Sequence, residues 1–284
     1  MKLLNSPYLP WFERFLDSIG SYCLICSPFI GERPVARLLQ CAERRGIRRR
    51  LRVDVLTDLS ARTLLSGATD VGALYALASC LPSTHVTYVP RIHAKVYVSD
   101  GRCAIVTSAN FTDGGFHSNL EYGIWLEDAP TVRTVVSDIQ RYAALGAKVK
   151  ASDLLCLRDT MKEAASRQTR VRTPATEALA DVQALLETQV FRMRVRGGTI
   201  NAVFARTIVY LLSRGELATE EIEEGVQQIH PDLCDDSMDR IIDGRHYGKL
   251  WKHQVRNAQQ HLKRRGLVLY DEQKGTWHLS HPMR

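Results

Sequence analysis

Short β-patterned segments crowd one stretch of the chain, at 86–89 (VTYV), 91–99 (RIHAKVYVS), 103–107 (CAIVT) and 121–126 (EYGIWL). Two earlier ones, 21–30 (SYCLICSPFI) and 51–57 (LRVDVLT), alternate with helical spacing at 34–45 and 71–80, and a further helix pattern covers 131–144. Pro34 stands at a first-turn position, where a missing N–H does no harm. This strand–helix–strand alternation predicts an α/β domain, a mixed sheet with flanking helices. The N-terminal stretch MKLLNSPYLPWFERFLDSIG reads as an amphipathic helix with Trp11, Phe12 and Phe15 turned inward. Glu13, Arg14 and Asp17 break its apolar run, which excludes a signal-peptide core.

A chain of 284 residues suits two ordinary domains, and 45% hydrophobic with 24% charged residues excludes wholesale disorder and collagen. No run approaches the roughly 18 apolar residues that span a bilayer. The net charge of +7 fits a polyanionic partner without requiring one. The seven cysteines are odd in number and scattered. Cys23 and Cys26 form a CxxC inside YCLICSPF, but that run reads as a buried strand, with no second CxxC and no suitably spaced His pair. The expectation is reduced core thiols, no metal, no cofactor, no membrane contact and a cytoplasmic protein.

Composition changes near 150. Residues 151–190 are mostly helix formers, interrupted by SRQTRVRTPAT, where Thr173 could cap a new helix. From 199 a compact pattern follows: a helix at 199–213, a second at 219–229 with Thr219 as N-cap and Ile222, Val226 and Ile229 on one face, and a third at 247–265. Gly266 stops the third helix, and LVLYDEQKGTWHLS reads as a hairpin turning at Lys274-Gly275. The expected organisation is a first domain at 1–150, a helical linker or dimerisation arm at 151–198 and a second domain at 199–284.

The chemistry concentrates in RIHAKVYVSDGRCAIVTSANFTDGGFHSNLEYGIWLED. Residues i and i+2 of a strand share a face, so His93 and Lys95 project together, as do Ser108 and Asn110 at the end of the next strand. A hairpin can bring the pairs together. An imidazole, an ammonium, a hydroxyl and a carboxamide then converge, a set suited to a phosphodiester. Lys95 and Asn110 can stabilise charge on the phosphoryl oxygens, and His93 can attack phosphorus. A carboxylate such as Glu121 can accept from the other ring nitrogen and fix the tautomer.

These residues resemble the phospholipase D superfamily, whose hallmark is H-x-K-x4-D followed by G-S-x-N. His93, Lys95, Asp100, Ser108 and Asn110 stand in that register, Thr107 replaces the usual Gly, and Glu121 is similar to the downstream acid of the small bacterial nucleases. The expectation for Thr107 is a slightly more crowded turn. The resemblance spans about residues 5–150, and Ser27-Pro28-Phe29-Ile30 resembles an early strand end of those nucleases. It implies two motifs meeting at one site, one His as nucleophile and the other protonating the leaving oxygen, without metal. This chain has one complete motif, because no other His is followed by both the Lys and the Asp at that spacing; His261-Leu262-Lys263 has Val268 at the Asp position. The resemblance therefore implies a homodimer through the nuclease domain, with the site on a twofold axis. Asp100 is expected to be structural, and His117 and Ser118 to be loop residues near substrate.

In the second half, helices plus a terminal hairpin predict a winged helix. Trp251, Val255, Ala258 and Leu262 form a buried stripe on the third helix. Its other surface carries Lys249, Lys252, His253, Arg256, Asn257, Gln260 and Lys263, donors suited to phosphates and base edges. Residues 216–243 hold ten acids against Arg240 alone, and 245–284 hold nine Lys/Arg against two acids. Trp251, Gly266-Leu267 and Trp277 are similar to the winged-helix N-terminal domain of Mrr-type restriction enzymes, over about 199–280. That resemblance implies DNA binding. A run of arginines, Arg44, Arg45, Arg48, Arg49, Arg50 and Arg52, exceeds what a helix C-terminus needs, and Arg48, Arg49 and Arg50 are candidates for a phosphate rim. The expected function is a metal-independent DNA endonuclease in restriction or phage defence, with a separate helicase or methyltransferase as a candidate partner. The alternatives are a non-catalytic dimeric DNA-binding regulator and a phosphodiesterase acting on RNA or lipid.

Overall fold

In a computed structural model of the chain, the described residues are 1–170, 175–195, 198–242 and 245–281. They divide into two compact units, Met1–Met193 and Arg194–Arg284. Thr173 and the Pro174 break lie outside the described residues.

The first unit runs β1 (Lys2–Asn5), α1 (Leu9–Ser18), β2 (Tyr22–Cys26), α2 (Glu32–Arg44), β3 (Arg52–Thr57), α3 (Ala61–Leu65), α4 (Val71–Cys80), β4 (Ser83–Tyr88), β5 (Val96–Ser99) and β6 (Cys103–Thr107). A π-helical turn at Gly114–Ser118 follows, then β7 (Tyr122–Leu126), α5 (Ala129–Leu145), β8 (Ala147–Val149), α6 (Ala151–Arg170) and α7 (Ala175–Val195). The eight strands form one sheet in the order β1-β7-β6-β5-β2-β3-β4-β8. The β2–β3 and β3–β4 pairs are parallel and the others antiparallel, so the sheet is mixed as expected.

Alternation along β2 shows how the sheet is covered on both faces. Cys23 and Ile25 join a core with Phe12, Phe15, Leu38 and Leu74, from α1, α2 and α4. Leu24 and Cys26 join a second core with Val132 and Ile139 of α5. Each buried Leu, Ile or Phe contributes about 2 kcal/mol. Cys23 and Cys26 therefore lie on opposite faces and cannot converge on one ion. Burial raises both thiols, Cys26 to about 12. The segment expected as a linker adds Leu154, Leu157, Leu186 and Val190 to the first of these cores.

Several boundaries differ from the sequence reading. The N-terminal stretch splits into β1, an edge strand paired with β7, and α1; Phe12 and Phe15 are buried, while Trp11 is half-buried and donates to the Asn5 carbonyl at 3.2 Å. The strand expected at 91–99 is regular only from Val96, because Arg91 takes a positive φ of 58° and Ile92–Lys95 run outside the regular strand.

Asp100 also has a positive φ, 50°, and its carboxylate explains why the turn holds. It accepts from Gly20 N (2.7 Å), Ser21 N (2.8 Å), Ser21 Oγ (3.1 Å) and Tyr22 N (2.8 Å). Burial alone would raise its pKa; these hydrogen bonds outweigh burial and hold it below the usual carboxylate range. Asp100→Ala is expected to cost about 2 kcal/mol, since hydrogen bonds to a partly exposed charge are lost, and a urea titration near neutral pH reads it directly. An unchanged midpoint would sink the structural role.

The second unit contains α8 (Ile200–Leu212), β9 (Leu217–Ala218), α9 (Thr219–Ile229), β10 (Asp239–Ile242), β11 (Arg245–Lys249), α10 (Leu250–Arg264), β12 (Val268–Asp271) and β13 (Thr276–Leu279). The expected hairpin forms from β12 and β13, with Gly275 at φ 68°, and β9 adds to β13. Trp251, Val255, Ala258 and Leu262 are buried against Phe204, Ile222 and Val226. Thr219 is not an N-cap: Ala218 holds that position, Glu221 accepts from Ala218 N at 2.7 Å, and Thr219 Oγ1 accepts from Trp277 Nε1 at 3.0 Å. The helix expected from 247 starts at Leu250, because Gly248 at φ 89° cannot continue a right-handed helix and 245–249 pairs with β10. Among the described residues, no helix is long and apolar enough to cross a membrane.

Candidate active site

The site forms at one end of the first sheet, where β2 and β6 finish and β5 and β7 begin. Pairing of Val96 with Val106 continues one step outward, as Thr107 N donates to Lys95 O at 3.1 Å. Ser108 N then donates to Tyr122 O at 2.9 Å, which sets Ser108 beside Glu121. His93 and Lys95 do project together. Lys95 Nζ donates to the His93 carbonyl at 2.9 Å and lies 3.2 Å and 3.3 Å from the two ring nitrogens. Lys95 is buried and His93 exposed. Burial lowers the Lys95 pKa, and the nearby Glu121 charge opposes that shift.

Glu121 does not bond to His93. Ser108 Oγ donates to its Oε2 and Asn119 Nδ2 to its Oε1 at 3.1 Å, so both carboxylate oxygens are engaged elsewhere. Ser108 Oγ also accepts from Tyr122 N at 3.1 Å. Thr107, standing where Gly was expected, donates through Oγ1 to Tyr122 O and accepts from Ala109 N, each at 3.1 Å. It faces Gly123, where an added Cβ would lie 2.8 Å from the Thr107 Cβ and 2.5 Å from the Tyr8 hydroxyl. The crowding is thus absorbed across the strand pair by a glycine.

Asn110 is fixed from two sides. Ser27, fully buried after β2, accepts from Phe111 N at 3.0 Å and donates to Phe29 O at 2.8 Å. On the other side the π-helical turn packs directly on the Asn110 backbone, since an added Cβ at Gly115 would lie 2.3 Å from Asn110 O. Phe116 of that turn stacks on Phe12, with ring centroids 4.0 Å apart, and meets Phe111 edge-on. The Asn110 side-chain oxygen is buried without a hydrogen-bond partner; it can only accept, so it is the Nδ2 group of this amide that can donate to a phosphoryl oxygen. His117 lies 3.6 Å from Asp113, which also pairs with Arg33 at 2.9 Å; both are on the turn rather than bonded to His93 or Lys95. Among the described residues, no group of three or more His, Cys, Asp or Glu side chains could hold a metal ion.

The arginine cluster falls at the other end of the sheet. Arg52 pairs with Tyr22 and Ser83, at the starts of β2, β3 and β4, whereas Ser27 follows the end of β2. The five residues of β2 put about 17 Å between the two ends. Arg44 is held by Asp17 (3.1 Å), Arg48 by Glu43 and the Cys80 carbonyl, and Arg52 by Asp54 (2.9 Å). Arg49 and Arg50 are exposed.

The candidate DNA-contacting residues of the second unit also divide. Lys252 Nζ (3.0 Å) and Arg256 Nε (3.1 Å) share Glu223 of α9, whose side chain is only 4% exposed. Lys249 pairs with Asp239 at 2.8 Å. His253 Nε2 lies 2.6 Å from the Tyr247 carbonyl and Nδ1 lies 3.1 Å from an Arg240 nitrogen, which ties the β10–β11 hairpin to α10. Asn257, Gln260 and Lys263 are exposed, and Lys263 lies over the Tyr270 ring at 5.8 Å. Glu223 and the extra hairpin escaped the sequence reading. A lone Glu in an acidic helix reads as solvated surface, and RHYGK has no apolar alternation.

Residues 13–143 match the family described as "Cardiolipin synthase, PLD-like domain". The match lies within the first unit and is in keeping with its large mixed sheet and flanking helices. No curated protein matches the chain. Among solved structures, NucT from Helicobacter pylori is similar over 50% of this chain and 93% of its own, at 19% identity and a TM-score of 0.40. Nuc from Salmonella typhimurium, a phospholipase D family member, is similar over 52% of this chain and 97% of its own, at 16% identity and a TM-score of 0.43. The phosphatidylserine synthase of Haemophilus influenzae Rd KW20 is similar over 55% of this chain and 42% of its own, at 13% identity and a TM-score of 0.42.

Proposed function

We propose that the chain is a DNA endonuclease that cleaves phosphodiesters through a covalent phosphohistidine in a homodimeric site. The observation carrying this reading is the meeting of His93, Lys95, Ser108, Asn110 and Glu121 at one end of one sheet. A ring nitrogen of His93 attacks phosphorus, and the bond to the leaving oxygen breaks. The second copy's His93 gives that oxygen a proton. Water then attacks the phosphohistidine, returns a proton to the second imidazole and frees His93. Lys95 and Asn110 carry the charge that grows on the non-bridging oxygens. The nucleophile, the acid and the charge stabilisation all come from side chains, so the cycle as written uses no metal. Exposed His93, on a chain with one such motif, suits a site completed by a second copy.

DNA is the favoured substrate because the second unit reads as a winged helix. The three helices and the terminal hairpin with β9 added to it support this reading, with an extra β10–β11 hairpin between α9 and α10, as do the exposed Asn257, Gln260 and Lys263 on α10. Supercoiled plasmid incubated with the full chain in excess EDTA is expected to be nicked, and a denaturing gel to trap a protein–DNA adduct. Sedimentation should give a dimer. Absence of nicking on plasmid and on phage-derived DNA, across several salt concentrations, would favour the non-catalytic DNA-binding regulator. Cleavage of RNA or of a lipid phosphodiester, with DNA untouched, would replace the substrate class.

A further inference from the structure

Glu121 is held at three points, two of them supplied by residues outside the motif. Asn119 Nδ2 donates to Oε1 at 3.1 Å, and Ser108 Oγ donates to Oε2. The Glu121 backbone N–H donates to Ser6 Oγ at 2.7 Å, and Ser6 Oγ in turn donates to the Asn119 carbonyl at 3.1 Å. Ser6 reaches this position because Asn5, the last residue of β1, pairs with Tyr122 at the edge of the sheet. The family match begins at residue 13, so β1 and Ser6 lie outside it.

The clamp matters because of Lys95. Lys95 and Glu121 flank the Thr107–Ser108 step from the strands on either side, since Thr107 N donates to Lys95 O at 3.1 Å and Ser108 N to Tyr122 O at 2.9 Å, and the Glu121 charge favours the protonated form of Lys95. A glutamate side chain has three rotatable torsions, and an unheld carboxylate beside a buried ammonium would swing to pair with it. Such a pair would take from Lys95 the charge that a phosphoryl oxygen needs. With Oε1 and Oε2 already accepting, Glu121 stays where it is and Lys95 keeps its contacts with His93.

We propose that Asn119 and Ser6 are positioning residues that hold the Glu121 carboxylate off Lys95 and so keep Lys95 available to substrate. This rests on the phosphodiesterase reading above. Asn119 is exposed, so its replacement leaves the core intact. Hydrolysis of bis(p-nitrophenyl) phosphate by the full chain in excess EDTA provides the readout. Asn119→Ala is expected to lower kcat/KM by roughly 10-fold without changing the melting temperature. Asn119→Asp, which sets a second carboxylate against Glu121, lowers it further, and Asn119→Gln, which keeps an N–H donor, recovers part of the loss. Ser6→Ala repeats the loss, and Ser6→Thr, which keeps the hydroxyl, does not. In a Glu121→Gln background, Asn119→Ala has no further effect, because the two act as a unit. Active wild type with Asn119→Ala within roughly 2-fold of it, or with full additivity in the double variant, overturns the positioning role alone. Wild type that does not hydrolyse the ester overturns the phosphodiesterase reading and this assignment with it.

Discussion

His93→Ala is expected to lower kcat for phosphodiester cleavage by at least ~10^4-fold, about 5.5 kcal/mol of transition-state stabilisation. The size follows from the proposed dimer. One substitution removes the nucleophile from one copy and the proton donor from the other, so both chemical steps lose their agent at once. Binding should survive, since His93 is exposed and, among the described residues, its side-chain bonds are with Lys95. Affinity for duplex DNA, measured by fluorescence anisotropy, should stay within a few-fold of wild type. Mixed dimers sharpen the test. A wild-type subunit paired with a His93→Ala subunit retains one imidazole, so it can attack but cannot protonate the leaving oxygen efficiently. Half the wild-type rate in such a mixture would mean that each subunit works alone, and the shared site would be wrong.

Much of this site was legible because its logic is local. The i, i+2 spacing of His93 with Lys95 survives even though the pair precedes the regular strand, whereas Ser108 and Asn110 follow the end of β6 with Ser108 at a bend. An extended backbone keeps alternate side chains on one side with or without a neighbour. The helix at 71–80 was readable to the residue, since Asp70 caps it through the Ala73 N–H at 2.9 Å. What escaped was non-local. Ser6 meets Glu121 across 115 positions of sequence, and nothing near either one announces the other. β1 exposes three of its four residues, so it shows no buried alternation; it exists because β7 offers an edge. Within one copy Glu121 meets Ser108 and Asn119 instead of His93, for a related reason. Spacing placed it near the imidazole, but the choice between His93 and the Ser108–Asn119 pair depends on the hairpin register and on a turn built around Gly115.

The second unit shows how charge counts mislead when pairing is ignored. Nine Lys/Arg in 245–284 suggested a broad cationic reading surface. Lys252 and Arg256 converge on one nearly buried carboxylate, Glu223, and Lys249 on Asp239. Burying that carboxylate without its cations would be costly, so these two side chains are held by the fold itself. The acidic run at 216–243 is therefore not only a repelling half. It supplies partners to the basic half, and the exposed polar surface of α10 shrinks toward Asn257, Gln260 and Lys263.

Lowering the pH from about 7 to about 4 is expected to remove about 3 kcal/mol from the second unit through His230 alone. His230 is fully buried. Its Nδ1 faces an Arg194 guanidinium nitrogen, which can only donate, so Nδ1 must accept. Its Nε2 lies 2.6 Å from Thr207 Oγ1, and that hydroxyl donates onward to Val203 O at 3.1 Å, so Nε2 carries the hydrogen. The network is complete only for the neutral ring with the proton on Nε2. Burial first, then the charges of Arg194 and Arg206, depress the His230 pKa from 6.5 to about 2. Asp232 is the acid of this cluster and is paired with Arg194 at 3.3 Å. In the unfolded chain the ring takes up a proton near its ordinary value, while the folded ring refuses it down to about 2. Stability from this group is therefore intact above about pH 6.5 and falls by about 1.4 kcal/mol per pH unit below it. Urea titrations of the full chain at several pH values, for wild type and for His230→Gln, separate this term from the carboxylates. The variant starts less stable near neutral pH, because Arg194 loses the His230 Nδ1 acceptor, yet its stability should decline more shallowly toward pH 4. Parallel declines in the two proteins would show that His230 does not govern the acid sensitivity of the second unit.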